Sequence, residues 1–418
     1  MASRLVVEGG TPLSGRISVS GAKNAALVLI AASMMAEGET FLENVPHIKD
    51  VEVMIQILNE LGVKSSWCAD GSLSIISTGE FINVTTPYEL TKQVRASNLF
   101  LGALLGRQAE AAVSMPGGCD IGSRPMDLHL KGAEALGVKI RLEHGNIYAE
   151  GRNMQGARVY LDFPSVGATE NIIMMACKTP GLSIIENAAK EPEIIDLSNF
   201  LNSMGADIRG AGTDLIKIKG VERLHAGRYS IIPDRIEAGT YMLAAAASRG
   251  EVLVENVIPT HLHPVIAKLQ ETGCTVEEQG SALYVKAADV LTAVDVKTLP
   301  YPGFPTDMQS QIMALLLKAR GNSVIVENVF EKRFQIVDEL KRMGARIKIE
   351  GRTAIVEGLD RIYGAKVKAT DLRAGAGLII AALSAEGTTV IDNAVYIFRG
   401  YERVAEKFRF LGADIRVE

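Results

Sequence analysis

Cys119 lies in Met115-Pro116-Gly117-Gly118-Cys119-Asp120-Ile121-Gly122-Ser123-Arg124-Pro125, a stretch unlike the surroundings of the other three cysteines. Three glycines and two prolines in eleven residues exclude helix and central strand. Pro125, Asp127 and the apolar spacing of Leu128, Ala133 and Leu136 predict a helix directly afterwards. A thiol beside Arg124 and close to a helix N-terminus has its thiolate form favoured. Composition alone is equally met by a glycine-rich connector with an incidental cysteine. A second group able to move a proton is Asp307, in Pro302-Gly303-Phe304-Pro305-Thr306-Asp307-Met308-Gln309. With Thr306 as N-cap, its rigid turn would present a carboxylate to a hydroxyl, or would simply complement a helix dipole. Weaker combinations are Cys119 with His129 as a hydrolase pair and His261 with His263 as metal ligands; for the latter a turn between elements is the better reading. Walker, dinucleotide-fingerprint and Ser-His-Asp patterns do not occur.

The elements that would hold these groups repeat. A hydrophobic residue, a glycine and a small or branched residue recur at Gly62, Gly137, Gly205, Gly273, Gly344 and Gly412, in steps of 75, 68, 68, 71 and 68 residues. An acidic residue and an asparagine lie 16 to 19 positions before five of these glycines, at Asn44, Asn187, Asn256, Asn328 and Asn393. The second unit alone breaks the rule, and there the corresponding position, 18 residues before Gly137, is Cys119. A local departure from a consistent scheme is where function is expected. Each unit runs from a helix apolar nearly all round, such as Ala25–Met35, through a branched strand and an amphipathic helix, such as Arg333–Met343, to paired strands. Helices of the first kind must be enclosed, so six units predict two domains of three, each with sheets around a helical centre. The boundary is expected near Ile232-Pro233-Asp234, giving one domain of residues 21–232 and another of 1–20 plus 233–418. The β-rich segment 1–20 has to pair somewhere. Charged or polar residues recur at the helix starts: Lys23 and Asn24, Lys92 and Arg95, Thr169 and Glu170, Asp234 and Arg235, Asp307, and Asp371 and Arg373. Helix N-termini converging on one cleft would suit an anionic ligand.

Composition narrows the class. The chain has 418 residues, 47% hydrophobic and 22% charged, with a net charge of −5 and no basic run, which excludes the footprint of a nucleic-acid binder. No pair of cysteines has metal or redox spacing, so reduced cytoplasmic thiols are expected. A secretory leader and a bilayer-spanning run are not expected either.

Five motifs then carry a resemblance: Ser20-Gly21-Ala22-Lys23-Asn24-Ala25, Pro116-Gly117-Gly118-Cys119 with Gly122-Ser123-Arg124-Pro125, Ser165-Val166-Gly167-Ala168-Thr169, Pro305-Thr306-Asp307-Met308-Gln309 and Arg399-Gly400-Tyr401-Glu402. Through them the chain resembles the enolpyruvyl transferases essentially end to end, most closely those acting on UDP-N-acetylglucosamine. The resemblance implies a two-domain inside-out α/β barrel of six βαβαββ repeats. It implies transfer of the enolpyruvyl group of phosphoenolpyruvate to the sugar 3-hydroxyl, with release of phosphate, in peptidoglycan synthesis, without metal or organic cofactor. By motif, Lys23, Asn24, Arg124 and Arg399 would serve phosphoenolpyruvate, and Arg95 and Arg373 would bind substrate. Arg124, Pro125, Met126, Asp127 and Leu128 would receive the uridine portion, and the Val329 backbone the sugar. Cys119 would be the general acid, open to fosfomycin-type epoxides, and Asp307 would meet the 3-hydroxyl. Some relatives carry a basic residue just before Ser165, where this chain has Asp162-Phe163-Pro164. The shikimate-pathway member lacks the cysteine loop. A non-catalytic nucleotide-sugar sensor is the alternative, and the joint presence of Lys23, Cys119, Arg124, Asp307 and Arg399 argues against it.

Overall fold

A computed structural model describes residues 3–79, 83–115, 122 and 126–418, with 14 α-helices and 23 strands among them. Two compact units divide the chain: Met1–Ser20 with Pro233–Glu418, and Gly21–Ile232 apart from the stretch around Gly122.

In each unit the three helices that open the repeats are the core. Lys23–Ser33, Leu99–Gln108 and Val166–Cys177 belong to one unit, and Arg235–Ala247, Gln309–Leu316 and Leu372–Ser384 to the other. Their sequences offer no polar stripe to water, so they are stable only when surrounded. Accordingly Ala25 to Ser33 and Leu372 to Leu383 are buried without interruption. Glycine lets these helices approach closely. A Cβ on Gly102 would stand 2.5 Å from Asn171 Oδ1, and one on Gly377 would stand 2.7 Å from the Ser310 carbonyl.

Sheets cover the helices with one face and meet water with the other, which is why their strands alternate. In Leu215–Lys219, Ile216 and Ile218 are buried while Lys217 and Lys219 are exposed. The fifth repeat shows the common pattern. Asn322–Val326 pairs antiparallel with Thr353–Glu357, which pairs antiparallel with Arg346–Glu350, and Val296–Lys297 adds a parallel edge. Among the described residues only the second repeat departs. Its three strands, Glu110–Ser114, Lys139–Glu143 and Asn146–Glu150, have a single bridge, Thr85 to Ala112, where the parallel edge would be.

The segment 1–20 finds its partners within its own unit. Leu5–Glu8 lies between Thr388–Asp392 and Asp414–Val417, supplying the strand that a closing hairpin supplies in other repeats. Ser14–Ser18 is the parallel edge of Glu251–Glu255, and Arg228–Ser230 plays the same part against Gly38–Glu43 in the other unit. Each unit is thus closed by a strand from the far end of its own chain.

The recurring asparagines hold the parallel edges in place. Asn44, Asn187 and Asn256 adopt φ values of 55°, 56° and 57°, a conformation asparagine tolerates better than most residues. Their side-chain amides donate to the carbonyls of Ile231 at 2.9 Å, Leu161 at 2.7 Å and Val19 at 2.7 Å, at the ends of the neighbouring strands. Asn328 makes the same bond to Thr298 at 3.1 Å. Asn187→Gly keeps the left-handed turn but leaves the Leu161 carbonyl without that donor. Both Asn187→Gly and Asn187→Ala are expected to lose about 1–2 kcal/mol in denaturant titration; an unchanged glycine variant would leave backbone conformation as the whole reason for the asparagine.

Candidate active site

Asp307 stands on the tight turn Thr306–Met308 that leads into Gln309–Leu316. The expectation that Thr306 caps this helix is not met. Its hydroxyl donates to Glu327 Oε2 at 3.0 Å, because that buried carboxylate needs donors more than the helix end does. Glu327 Oε1 accepts from Thr298 Oγ1 at 2.8 Å and from the backbone N–H groups of Val329 at 2.7 Å and Phe330 at 3.0 Å. The turn carrying Val329 is thereby fixed, and its N–H is committed.

Both carboxylate oxygens of Asp307 are engaged by arginine: Oδ1 by Arg333 Nη2 at 2.5 Å, and Oδ2 by Arg373 Nη2 at 2.9 Å. Arg373 stands in the first turn of Leu372–Ser384, whose N-cap Asp371 accepts from the Arg373 and Ala374 N–H groups. Burial works against the Arg373 charge, but Asp307, Tyr401 and Asp234 outweigh it and hold the guanidinium protonated. Arg333 Nη1 also lies 3.8 Å from Asp371 Oδ1. The sequence reading missed Arg333 as a site residue. The expected helix Arg333–Met343 begins instead as a 3-10 turn over Arg333–Gln335, with Ile336–Arg342 following, and that tighter turn carries the Arg333 side chain to Asp307. Asp234 caps Arg235–Ala247 through bonds to the Ile236 and Glu237 N–H groups. Arg399, half-buried, follows the short helix Val395–Phe398 two residues before Tyr401. Tyr401 joins Arg373, Gln311 and Thr240, so the first turns of two core helices and the second turn of Arg235–Ala247 share one polar network.

In the other unit Lys23 and Asn24 open Lys23–Ser33, and Lys23 Nζ pairs with the buried Asp50 at 2.8 Å. Arg95, half-buried, begins the tight turn Arg95–Asn98. Met126 is buried with its sulfur accepting from Asn98 Nδ2 at 3.5 Å, whereas Asp127 is exposed and Leu128 half-buried at the start of Asp127–Ala135. Of the predicted site residues, Cys119, Arg124 and Pro125 lie outside the described residues.

Several secondary readings change. His129 is buried, and Asn171 decides its tautomer: Asn171 Oδ1 accepts from Gly102 N–H, so its Nδ2 donates to His129 Nδ1 at 2.7 Å. That nitrogen is already an acceptor inside the fold. Lys92 is an exposed cation paired with Glu89 and belongs to the surface. Trp67, the one tryptophan, would be expected in the core from its size and apolarity; it is half-buried and stacks on His47 with ring centroids 3.9 Å apart. Asp162 pairs with Lys131 at 2.7 Å, so a cation from a neighbouring helix stands beside the segment Asp162-Phe163-Pro164. Glu170 is fully enclosed, and desolvation first, then Glu193 and Glu191, push its carboxyl well above the usual range. Burial likewise pushes the Cys177 thiol far up, leaving it inert. His261 and His263 flank a turn. Among the described residues no helix is long and apolar enough to cross a membrane.

Two buried arginines gathered on one carboxylate at a helix start fit chemistry on a small polyanion. Comparison with known proteins agrees. The family described as EPSP synthase (3-phosphoshikimate 1-carboxyvinyltransferase) matches residues 7–408. The chain belongs to the enolpyruvyl transferase family. Within that family it is 53% identical over 415 residues to "UDP-N-acetylglucosamine 1-carboxyvinyltransferase 1" of Caldanaerobacter subterraneus subsp. tengcongensis, covering 99% of both chains. It is also 53% identical over 414 residues to "UDP-N-acetylglucosamine 1-carboxyvinyltransferase 2" of Carboxydothermus hydrogenoformans, covering 99% of this chain and 98% of the relative. Among solved enolpyruvyl transferases, NikO from Streptomyces tendae has a TM-score of 0.90 at 26% identity, with 100% of this chain and 99% of that one covered. EPSP synthase from Acinetobacter baumannii, at a TM-score of 0.78, 19% identity and 100% coverage of both chains, shares the fold.

Proposed function

We propose that this enzyme transfers the enolpyruvyl group of phosphoenolpyruvate to the 3-hydroxyl of UDP-N-acetylglucosamine and releases inorganic phosphate. The observation that carries this reading is 53% identity, spread over 99% of both chains, to a relative named for that reaction. The reading places the chain in the cytoplasm, at the first committed step of peptidoglycan synthesis.

In the addition step the sugar oxygen bonds to C2 of phosphoenolpyruvate, Asp307 takes the hydroxyl proton, and the Cys119 thiol delivers a proton to the C3 methylene. A tetrahedral ketal bearing the phosphate results. In the elimination step the Cys119 thiolate takes a proton back from the new methyl group, the C2 to phosphate-oxygen bond breaks, and phosphate departs with the proton that Asp307 held, which restores both groups. Lys23, Asn24, Arg124, Arg373 and Arg399 hold the phosphoenolpyruvate anions, and charges of that kind act strongly in a water-poor site. Arg95, together with the run from Arg124 to Leu128, serves the nucleotide sugar. Met126 is buried on Asn98, so its contribution there is through backbone. Val329 would meet the sugar through its carbonyl, since its N–H is donated to Glu327. Asp307 between two guanidinium groups is a weak base. An anionic substrate that takes a share of the Arg373 charge, with the guanidinium held in place, strengthens that base just when both substrates are bound.

The test is phosphate release by the purified chain. It should require both phosphoenolpyruvate and UDP-N-acetylglucosamine. Nucleotide-sugar binding without turnover would instead make the protein a sensor.

A further inference from the structure

We propose that Tyr401 is a positioning residue for this reaction: its buried hydroxyl holds the Arg373 guanidinium in the orientation that reaches Asp307. The inference rests on the reading that Asp307 and Arg373 serve enolpyruvyl transfer.

The direction of every proton around Tyr401 follows from its partners. Thr240 Oγ1 lies 2.7 Å from the Ile236 carbonyl, which can only accept, so the single threonine proton is spent there. At the 2.9 Å contact between Thr240 and Tyr401, the phenol must therefore be the donor. Gln311 is oriented in the same way. Its amide nitrogen stands 2.9 Å from the Asp307 carbonyl, another pure acceptor, so the nitrogen side of that amide faces Tyr401 at 3.3 Å. With its proton on Thr240, Tyr401 turns its lone pairs to Gln311 Nε2 and to Arg373 Nη1, the latter also at 3.3 Å.

Arg373 then spans the gap with its two terminal nitrogens: Nη1 bonds the phenol while Nη2 bonds Asp307 Oδ2 at 2.9 Å. A planar guanidinium held at both terminal nitrogens cannot rotate about its long axis without breaking one bond. Tyr401, Thr240, Gln311 and Arg373 are each at most 4% exposed, so water does not substitute for a lost partner. Burial also pushes the phenol up, keeping it neutral and an effective donor to Thr240. A hydroxyl whose only purpose was to fill a core would not need an arginine as its neighbour, because phenylalanine has the same shape without the desolvation penalty.

Tyr401→Phe removes one oxygen and leaves the ring. We expect kcat/KM for phosphoenolpyruvate to fall about tenfold, the scale of a lost bond to a charged group, with the KM for UDP-N-acetylglucosamine unchanged. In an Arg373→Lys background the same substitution should cost less than about twofold, since the group it positions is gone. If Arg373→Lys leaves no turnover, the cycle is measured as phosphoenolpyruvate affinity by calorimetry with UDP-N-acetylglucosamine present. Thr240→Val offers a milder second variant. It leaves Tyr401 in place but frees its proton to compete for the arginine side, so a several-fold loss of the same kind should appear and vanish with Arg373→Lys. Equal losses in both backgrounds, or no loss in the native one, would overturn the proposal. A native enzyme that releases no phosphate would overturn the assigned reaction instead, so the two failures are told apart by the unmodified protein.

Discussion

Asp307→Asn is expected to accumulate as folded protein, to bind UDP-N-acetylglucosamine, and to lose kcat by on the order of 10²-fold or more, the scale of a removed general base. Asparagine keeps the shape and one acceptor oxygen, so one arginine retains a partner. The other guanidinium is left facing an amide N–H₂ group in a setting where both arginines are almost wholly buried, which should lower the melting temperature as well. Turnover and stability therefore fall together in this variant. Arg333→Lys separates them: it weakens the same clamp without removing the base, so it should lower the melting temperature while costing kcat far less. Near-normal turnover in Asp307→Asn would reduce Asp307 to the central anion of a structural network.

The second large effect is expected at Cys119. A phosphonate epoxide of the fosfomycin type should alkylate Cys119 alone among the four cysteines. Cys177 and Cys274 are buried and Cys68 is half-buried, and Cys177 is further disarmed by the cost of ionising it inside the core. UDP-N-acetylglucosamine should accelerate the labelling if the glycine-rich stretch closes over bound substrate. An incidental surface thiol would be shielded or unaffected. Peptide mass mapping reads both the site and the rate. Cys119→Asp should resist the epoxide yet retain turnover, because a carboxylic acid still donates a proton; complete inactivity would argue for an obligatory covalent role.

The repeat was legible in the sequence because a turn glycine and an acidic-asparagine pair leave local marks at near-constant spacing. Why asparagine recurs was not legible. The carbonyls that Asn44 and Asn256 hold lie 187 and 237 residues away in sequence, on strands whose pairing no local pattern announces. Asp307 was found because two prolines and a glycine single out its turn, but the expected cap at Thr306 failed since Glu327, 21 residues downstream, claims the hydroxyl. Arg333 had a signal that was passed over. It stands at the i position of an i, i+4, i+7 series with Val337 and Leu340, a cation on an apolar face, and such a residue is buried only against an anion. The part of Tyr401 was beyond sequence altogether. It depends on which way a threonine proton points in a helix 161 residues earlier.

Transfer of the enolpyruvyl group onto the sugar 3-hydroxyl turns C2 of phosphoenolpyruvate into a vinyl ether carbon. Phosphoenolpyruvate labelled with ¹³C at C2 tests it most directly. Carbon magnetic resonance of the reaction with UDP-N-acetylglucosamine should show the label in a vinyl ether coupled to the sugar at C3, appearing in step with inorganic phosphate. Label recovered as pyruvate, or remaining in phosphoenolpyruvate while the nucleotide sugar is bound, would contradict the account.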